Sequence, residues 1–429
     1  MAYEDLKING ERLNETLQRT CTSWGALDAP STGMCRLTLS QEDKETRDWL
    51  VMECKSLGCD VKIDEMGNIF ATRPGTAKDR NSIGMGSHLD TQPAGGRYDG
   101  ILGVQAALEV LRTLHENDIT THCPITLIDW TNEEGARFPG AMMASGVWST
   151  KSSTGLDACW SLRDKDGVAM KNALEQIKYL GSTKCDYREN PLECHFELHI
   201  EQGPILEREG KSVGVVTSIQ GMKWFAIRVT GVEGHSGTTP MPDRSDALVT
   251  ASRLISTVRD VALETGLGVA TVGVIKSDTS SQATIPAGVD FNIDIRCSNN
   301  DMVDQLAKSI FGAFDRVITE ESNGTSYAVQ RTWGLPESTF HPHCIESVRK
   351  AARKSVSEDQ IMDTIISRAG HDSGWTSRVC PTSMIFVPSR EGISHNPNEY
   401  TSPEHCALGA QVLLDSVLYY DEKVREGKY

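Results

Sequence analysis

Five residues with side chains that favour transition metals occur at separated points of the chain, each beside a carboxylate or a glycine turn. They are His88, Asp99, Glu134, His199 and His395. Imidazoles and carboxylates around a pair of divalent ions can turn bound water into hydroxide near neutral pH. The residue types therefore predict a metal-dependent hydrolase, although no single one of them defines a site.

His88 and Asp90 lie two residues apart, where a strand predicted over residues 82–88 ends. Side chains at this spacing on a strand point to the same face. A metal-bound imidazole needs its second ring nitrogen held in place, and a carboxylate commonly holds it. We therefore predict that Asp90 supports His88, although an HxD pair alone is too common to define a site.

Asp99 lies between Tyr98 and Gly100, directly before a helix predicted over residues 101–114. One interpretation is a helix cap, in which the carboxylate accepts free N–H groups of the first turn. The other is a carboxylate that bridges two metal ions about 3.5 to 4 Å apart. The sequence around Asp99 leaves both interpretations open.

Glu133 and Glu134 follow a strand predicted over residues 125–130. Adjacent carboxylates on extended chain point in different directions, so one can bind metal while the other acts as a general base. A solvated acidic turn is the ordinary alternative. It is less expected directly after an apolar strand of an α/β domain, where ligand sites gather.

His199 lies in a predicted strand over residues 194–201, in which apolar residues alternate with polar ones. The alternation predicts that His199 points away from the core. Gln202 begins the following turn and could present an amide to a substrate. A lone strand histidine is more often structural, so only the other four residues favour a ligand.

Three further histidine motifs contain glycine or proline turns: His235 in GHSGTTP, His371 in GHDSG and His395 in SHNP. His235 falls in a different predicted domain from the metal-type residues, so we predict that it stabilises an oxyanion rather than binding metal. His371 and His395 would each be ordinary loop residues if taken alone.

The composition narrows the class of partner. The 43 Lys and Arg residues against 59 Asp and Glu residues give a formal charge of -16, which disfavours nucleic acid and anionic membranes and favours a small-molecule substrate. No stretch approaches the ~20 apolar residues of a membrane span, and no apolar signal segment opens the chain. The twelve cysteines are dispersed without a CxxC pair, which is typical of reduced thiols. These features predict a soluble, cytoplasmic protein.

Strands and helices alternate through the first half of the chain, which predicts a layered α/β domain. After residue 217 the pattern changes to half-exposed strands and two amphipathic helices, typical of a small α+β domain with two helices and four strands. The helices are predicted at 246–264 and 301–321, and two of the strands at 224–230 and 291–295. Metal-type residues resume afterwards, so we predict a catalytic domain of residues 1–217 and 332–429, with 218–331 inserted.

Eight motifs occur in the order found in the amidase, hydantoinase/carbamoylase family, which the chain resembles over about residues 80–405. They are GSHLDT, GGRYDGILGV, TNEEGARF, HIEQGP, GHSGTTPM, IDIR, GHDS and GISHNP. The family includes N-carbamoyl-L-amino-acid hydrolases, β-ureidopropionases and allantoate amidohydrolases, and is related to dinuclear zinc aminopeptidases. The resemblance implies two divalent metal ions, in the first place zinc, although imidazole and carboxylate also accept manganese, cobalt or nickel.

The resemblance also implies a role for each candidate residue. It implies that His88, Asp99, Glu134, His199 and His395 hold the two metals, with Asp99 bridging. Glu133 is then the general base and Asp90 stands behind His88. Gln202, His371 and Arg296 resemble substrate contacts, with Arg296 pairing a substrate carboxylate in a bidentate fork. The inserted domain is implied to form a homodimer and a lid, so that His235 of one subunit completes the active site of the other.

One segment departs from the family pattern. Carbamoylase-like members usually carry an asparagine where this chain has Ala283, so a polar substrate contact is missing unless Gln282 supplies it. A site built around such a contact discriminates less without it. Asp129 and Ser373 are also atypical. The departure at Ala283 disfavours a standard N-carbamoyl amino acid as the substrate, while the predicted reaction class is unchanged.

The sequence therefore predicts a dinuclear metal amidohydrolase that cleaves a linear, non-peptide C–N bond, in a carbamoyl or acyl amide, of a small carboxylate-bearing substrate. An aminoacylase or dipeptidase on the same scaffold is one alternative. A metal-dependent binding protein without catalysis is another, which the presence of both the base and all five ligands disfavours.

Overall fold

The computed structural model describes residues 6–429. The chain divides into two compact units, the first running up to Ser218 and resuming at Thr339, the second spanning Ile219–Ser338. The second unit is longer at its C-terminal end than the predicted insertion, because its last long strand continues to Leu335. The catalytic and dimerisation roles assigned to the two units stay predictions.

The described chain contains sixteen strands and twelve α-helices. The strands are β1 Asp60–Ile63, β2 Ile69–Arg73, β3 Ser82–His88, β4 Ile125–Trp130, β5 Leu192–Ile200, β6 Val213–Ile219, β7 Gly221–Thr230, β8 Gly234–His235, β9 Gly268–Thr271, β10 Ile275–Ser277, β11 Thr284–Ile285, β12 Gly288–Cys297, β13 Ser326–Leu335, β14 Ser338–Thr339, β15 Ile361–Ser367 and β16 Thr382–Val387. The helices are α1 Gly10–Ser23, α2 Gln41–Ser56, α3 Ile101–Glu116, α4 Met143–Ser149, α5 Leu156–Ser161, α6 Met170–Ile177, α7 Ile205–Arg208, α8 Ala247–Thr265, α9 Asn300–Glu321, α10 Pro342–Ser355, α11 Ser373–Thr376 and α12 Pro403–Arg425. Short 3-10 helices lie at Met241–Asp243, Glu358–Gln360 and Arg390–Gly392.

The first unit is built on a nine-stranded mixed sheet in the order β1-β2-β4-β3-β5-β16-β6-β14, with β15 paired to β6. The four central strands β4, β3, β5 and β16 are mutually parallel. Every residue of β4 is buried, as expected for the apolar sequence of an interior strand covered on both faces. The predicted bounds of β3 and β4 are confirmed.

Helices α3 and α12 contribute much of the core of this unit. The residues of α3 from Ile101 to Leu114 are all buried, and α12 packs against α1, α3 and α10. The predicted helix is confirmed and continues to Glu116. Because parallel strands have their carboxyl ends at one edge of a sheet, this packing brings the ends of β3, β4 and β5 together.

The second unit has a sheet in the order β10-β12-β7-β13, with β9 also paired to β12. Its two long helices are α8 and α9, as predicted. The predicted count of four strands is corrected to five in the main sheet, with β8 and β11 forming a separate pair. The extra strand arises because β9 and β10 pair with different halves of β12, so the sheet is still four strands wide.

Two findings concern the described chain as a whole. No helix within residues 6–429 is long and apolar enough to cross a membrane. All twelve cysteines are free, and eleven of them are buried, as expected for small apolar side chains with reduced thiols.

Candidate metal centre

The carboxylate of Asp99 lies at the centre of the predicted ligands. Its Oδ1 atom is 3.1 Å from His199 Nε2 and 3.7 Å from His88 Nε2. Its Oδ2 atom is 3.4 Å from His395 Nε2. One oxygen of the carboxylate therefore faces two imidazoles and the other oxygen faces a third, which is the arrangement a bridging ligand requires.

Glu134 lies beside His395, on the Oδ2 side of Asp99. Its Oε2 atom is 3.2 Å from His395 Nε2 and accepts a hydrogen bond from Gln92 Nε2 at 2.9 Å. The predicted ligands form two groups, in each of which one potential ligand atom per residue lies within 4.8 Å of the others: His88, Asp99 and His199, and Asp99, Glu134 and His395. All five predicted ligands thus converge, in two groups that share Asp99.

The two buried imidazoles are oriented by backbone carbonyls. His88 Nδ1 lies 2.9 Å from the carbonyl oxygen of Asp90, and His199 Nδ1 lies 2.8 Å from that of Ile200. With Nδ1 bonded to a carbonyl oxygen, each ring presents Nε2 to Asp99, and Nε2 is the nitrogen that can bind a metal once it has lost its proton.

Asp90 supports the site differently from the prediction. Its carboxylate is 4.0 Å from His88 Nδ1, too far for a hydrogen bond. Its oxygens instead accept the backbone N–H groups of Glu133 and Glu134, at 3.2 and 3.3 Å. Asp90 therefore fixes the turn that carries the predicted base and one predicted ligand.

Glu133 lies beside the first group, with Oε2 3.6 Å from His88 Nε2. The preceding residue, Asn132, has a left-handed backbone with φ +58°. Its Nδ2 donates to the carbonyl oxygens of Phe138 and Gly140, which stabilises this otherwise unfavourable conformation. The turn thereby presents two successive glutamates to one cluster, which an extended chain would direct apart.

Asp99 does not cap the helix that follows it. The N-cap of α3 is Gly100, and no side chain caps this end. Gly100 has φ +65°, and a Cβ atom there would overlap the ring of His88. Glycine is therefore required where the backbone passes this imidazole.

His199 faces Asp99 while Phe196, Leu198 and Ile200 join the apolar core, as the alternation predicts, but its side chain is not exposed to solvent, because the residue is only 1% exposed. Every residue of β5 after Glu193 is buried, including the polar ones. Period-two alternation marks the two faces of a strand. It does not reveal that both faces are covered, as they are in β5, an interior strand between β3 and β16.

The electrostatics of the cluster depend on its buried carboxylates. Burial raises the pKa of Glu133, and the negative charges of Asp372, Glu134 and Asp99 raise it further, well above the usual range. Burial would also raise the pKa of Asp99, but hydrogen bonds with His199 and His395 outweigh it and hold that pKa well below its usual value.

The same hydrogen bonds that lower the pKa of Asp99 raise the pKa values of the imidazoles. Burial lowers their pKa values, but hydrogen bonding to Asp99 raises the pKa of His199 to about 9, and bonding to Asp99 and Glu134 raises that of His395 to about 11. The cluster therefore attracts positive charge. Buried carboxylates and imidazole nitrogens are also the donors that divalent transition metals prefer. On both grounds, these residues fit a pair of such cations.

Of the predicted substrate contacts, two lie in the same unit as this cluster. Gln202 Nε2 donates to Asp99 Oδ2 at 2.6 Å, while its Oε1 is buried without a hydrogen-bond partner among residues 6–429. His371 is 1% exposed, its Nε2 lies 2.8 Å from Ser367 Oγ, and its ring meets that of His199 edge to face, with the centroids 4.4 Å apart.

The other predicted contacts belong to the second unit. His235 is exposed, and its Nδ1 accepts the N–H groups of Gly237 and Thr238. Arg296 is held by Asp294, with 2.7 Å between Nη2 and Oδ2. Gln282 is exposed and neighbours Ala283, whose carbonyl accepts the N–H of Ser236. The segment that departs from the family pattern therefore adjoins His235.

Two residues of the cluster were not predicted from the sequence. Glu399 is 4% exposed and accepts the N–H groups of Tyr98 and Asp99, both at 3.0 Å. Ser394 Oγ donates to Asp99 Oδ2 at 2.8 Å. The sequence holds only an indirect indication of Glu399. A Cβ atom at Gly96 would overlap the Glu399 carboxylate, so this glycine indicates that another group lies close by, but it does not identify that group.

Comparison with known proteins defines the class. The model of Peptidase family M20/M25/M40 matches residues 84–419, and the chain belongs to this family. A solved structure described as an amidase of the hydantoinase/carbamoylase family, from Burkholderia vietnamiensis, is similar with a TM-score of 0.90 and 40% identity, over 97% of this chain and 98% of that one. The predicted resemblance and the layered α/β fold class are therefore confirmed.

Curated relatives are similar along nearly the whole chain. An N-carbamoyl-L-amino-acid amidohydrolase of Rhizobium meliloti is 37% identical over 97% of this chain and 97% of its own length. An allantoate amidohydrolase of Bacillus subtilis (strain 168) is 31% identical over 89% of this chain and 92% of its own. Both names describe hydrolysis of amide C–N bonds outside peptides.

Proposed function

We propose that this protein is a dinuclear metal-dependent amidohydrolase that cleaves a linear carbamoyl or acyl amide in a small, carboxylate-bearing substrate. One observation carries the proposal: Asp99 Oδ1 faces His88 and His199 while Oδ2 faces His395, with Glu133 beside His88. The names of the relatives from Rhizobium meliloti and Bacillus subtilis support the same reaction class.

In this proposal, His88, Asp99 and His199 hold one divalent ion, and Asp99, Glu134 and His395 hold the other. Such ions, when bound, polarise a substrate carbonyl and lower the pKa of water. Glu133 accepts a proton on its carboxylate from the attacking water and returns it to the leaving nitrogen. Asp90 keeps Glu133 in place through the backbone N–H of that residue.

His235 has the tautomer that stabilising an oxyanion requires. Because Nδ1 accepts two backbone N–H groups, the proton of the neutral ring is on Nε2, which can donate to a developing negative charge. Arg296 pairs the substrate carboxylate, Gln202 offers its unpartnered Oε1 to a substrate N–H, and His371 completes the contacts. With Ala283 in place of an asparagine, Gln282 is the neighbouring amide that could substitute.

Three finer assignments belong to the same proposal. Zinc is the metal, in keeping with the imidazole-rich ligand set, with manganese, cobalt and nickel as alternatives. The second unit, Ile219–Ser338, is a lid and the contact surface of a homodimer. The location is the cytoplasm, which the twelve free cysteines support.

Glu133→Gln tests the mechanism because it removes the proton acceptor and keeps the shape. We expect metal content measured by elemental analysis to stay near two ions per chain, while turnover falls at least about 100-fold, as for the loss of a general base. Glu134→Gln is the matched control and should lose both metal and turnover. Normal activity in Glu133→Gln would refute the assignment.

A substrate panel separates the proposed reaction from the aminoacylase or dipeptidase alternative. Purified protein with added zinc or manganese is assayed on N-carbamoyl, N-acetyl, ureido and dipeptide compounds. We expect the highest kcat/KM on a carbamoyl or ureido compound. Preference for N-acetyl amino acids or dipeptides would favour the alternative. Metal binding with no hydrolysis across the panel would indicate a binding protein.

A further inference from the structure

Asp99 is the one residue common to both candidate cation positions, so the orientation of its carboxylate determines both positions together. The position of this carboxylate depends on the conformation of the backbone at Asp99. That backbone is not part of a regular element, because Asp99 lies between β3 and α3 and outside the bounds of both. The first turn of α3 binds its carbonyl groups, through the N–H groups of Ile101 and Leu102, which leaves the N–H groups of Tyr98 and Asp99 to be bound by a side chain.

Glu399 supplies the hydrogen bonds that hold this backbone. A single oxygen, Oε1, accepts the N–H groups of Tyr98 and Asp99, both at 3.0 Å. The side chain is buried at 4% exposure, where hydrogen bonds are little screened by water and are stronger than at the surface. These bonds join points 300 residues apart in the sequence.

The second oxygen of Glu399 links this segment to the His395 loop. Ser394 Oγ lies 3.2 Å from Glu399 Oε2 and 2.8 Å from Asp99 Oδ2. Since Ser394 directly precedes His395, the same network touches a ligand of each candidate position. The Glu399 carboxylate also packs closely against Gly96, because a Cβ atom at residue 96 would overlap it.

We propose that Glu399 is a positioning residue that presents Asp99 to both cation positions at once. The inference rests on the proposed function, because it needs Asp99 to bind metal. Two protein N–H groups occupy Oε1 of Glu399, so this residue acts through the backbone of Asp99. Its removal should loosen the segment from Gly96 to Gly100 and weaken cation binding, without removing any ligand.

Three variants test this role. Glu399→Ala removes the acceptor, Glu399→Asp keeps a carboxyl group but withdraws it from the two N–H groups, and Glu399→Gln keeps an oxygen in the position of Oε1. Glu391→Ala, which removes an exposed carboxylate from the same loop, is the matched control. Zinc affinity is measured by competition with a chelator, and amide hydrogen exchange of the segment is measured in the metal-free protein.

We expect Glu399→Ala and Glu399→Asp to bind zinc about 10 to 100 times more weakly, as when a residue supporting a ligand is lost, with faster exchange at Tyr98 and Asp99. Activity should return towards normal as zinc is raised. Glu399→Gln and Glu391→Ala should stay within about threefold of the unmodified protein in zinc affinity.

Unchanged zinc affinity in both Glu399→Ala and Glu399→Asp would overturn the inference, as would a Glu399→Gln variant as defective as Glu399→Ala. If Glu399→Ala does not fold, the zinc affinities of Glu399→Asp and Glu399→Gln are compared instead, and equal affinities would overturn the inference. If the unmodified protein itself binds no zinc or manganese, the proposed function fails instead, which is a distinguishable result.

Discussion

Two of the buried groups of carboxylates in the first unit are neutralised in different ways. In one, Arg47 lies 2.8 Å from Asp43 and 3.1 Å from Asp129, and none of the three side chains is exposed. In the other, Asp99, Glu133 and Glu134 face imidazoles. An arginine is a permanent cation, whereas an imidazole can give up its proton and become a ligand.

The difference separates a structural ion pair from a site for exchangeable cations. Both groups are built on β4 or on the turn that follows it, since Asp129 lies within β4 and Glu133 comes shortly after. Burial raises the pKa of a carboxylate in each. Buried acidic residues therefore do not identify a metal site by themselves; the kind of positive group beside them does.

The largest effect is expected from changing the bridging carboxylate. Asp99→Asn removes the charge shared by both cation positions, so metal content should fall well below two ions per chain and kcat/KM should drop by about 1000-fold or more, beyond the 10- to 100-fold typical of a supporting residue. Elemental analysis and steady-state kinetics measure both.

Asp43→Asn is the matched change in the arginine group and should keep two ions per chain. Equal loss of metal in Asp99→Asn and Asp43→Asn would contradict the view that only the imidazole group binds metal.

Arg47→Met should affect stability rather than metal. It leaves Asp43 and Asp129 buried without a cation, which costs about 3 to 5 kcal/mol when one partner of a buried pair is removed. Thermal unfolding measures the loss, and elemental analysis of the folded protein should still find two ions.

Adding Asp43→Asn and Asp129→Asn to Arg47→Met removes the unpaired charges, so the triple variant should recover much of the lost stability. No recovery would show that Arg47 acts through packing and not through charge.

The effect of Asp129→Asn depends on pH. Burial raises the pKa of Asp129 and Arg47 partly counters this, leaving it at about 7. The folded protein therefore binds this proton more tightly than the unfolded chain, so stability falls as pH rises from about 4 to 7. Asp129→Asn lacks this dependence.

Chemical unfolding of both proteins across this range measures the effect. The unmodified protein should lose stability relative to Asp129→Asn as pH rises, by about 1.4 kcal/mol for each unit that separates the two pKa values. A constant difference between the two proteins from pH 4 to 8 would contradict the assignment.

The sequence allowed much of this architecture to be predicted, because the relevant signals are local. Apolar runs and helical periodicity placed β3, β4 and α3, and the topology of a parallel sheet brings the strand ends together. The partners of Asp90 could not be predicted, since they depend on the left-handed turn at Asn132.

Glu399 could not be predicted for a related reason. Its hydrogen bonds join distant segments, and nothing within the sequence around it points to Tyr98 or Asp99. The buried environment of His199 depends likewise on neighbouring strands rather than on the alternation within β5.

The three ligand imidazoles differ in their access to solvent. The side chain of His395 is 51% exposed, against 2% for His88 and 1% for His199. We expect the cation beside His395 to exchange with the surroundings faster than its neighbour, giving a half-loaded species when metal is scarce. The turnover rate would then rise and fall with the concentration of free metal, so that metal supply limits activity.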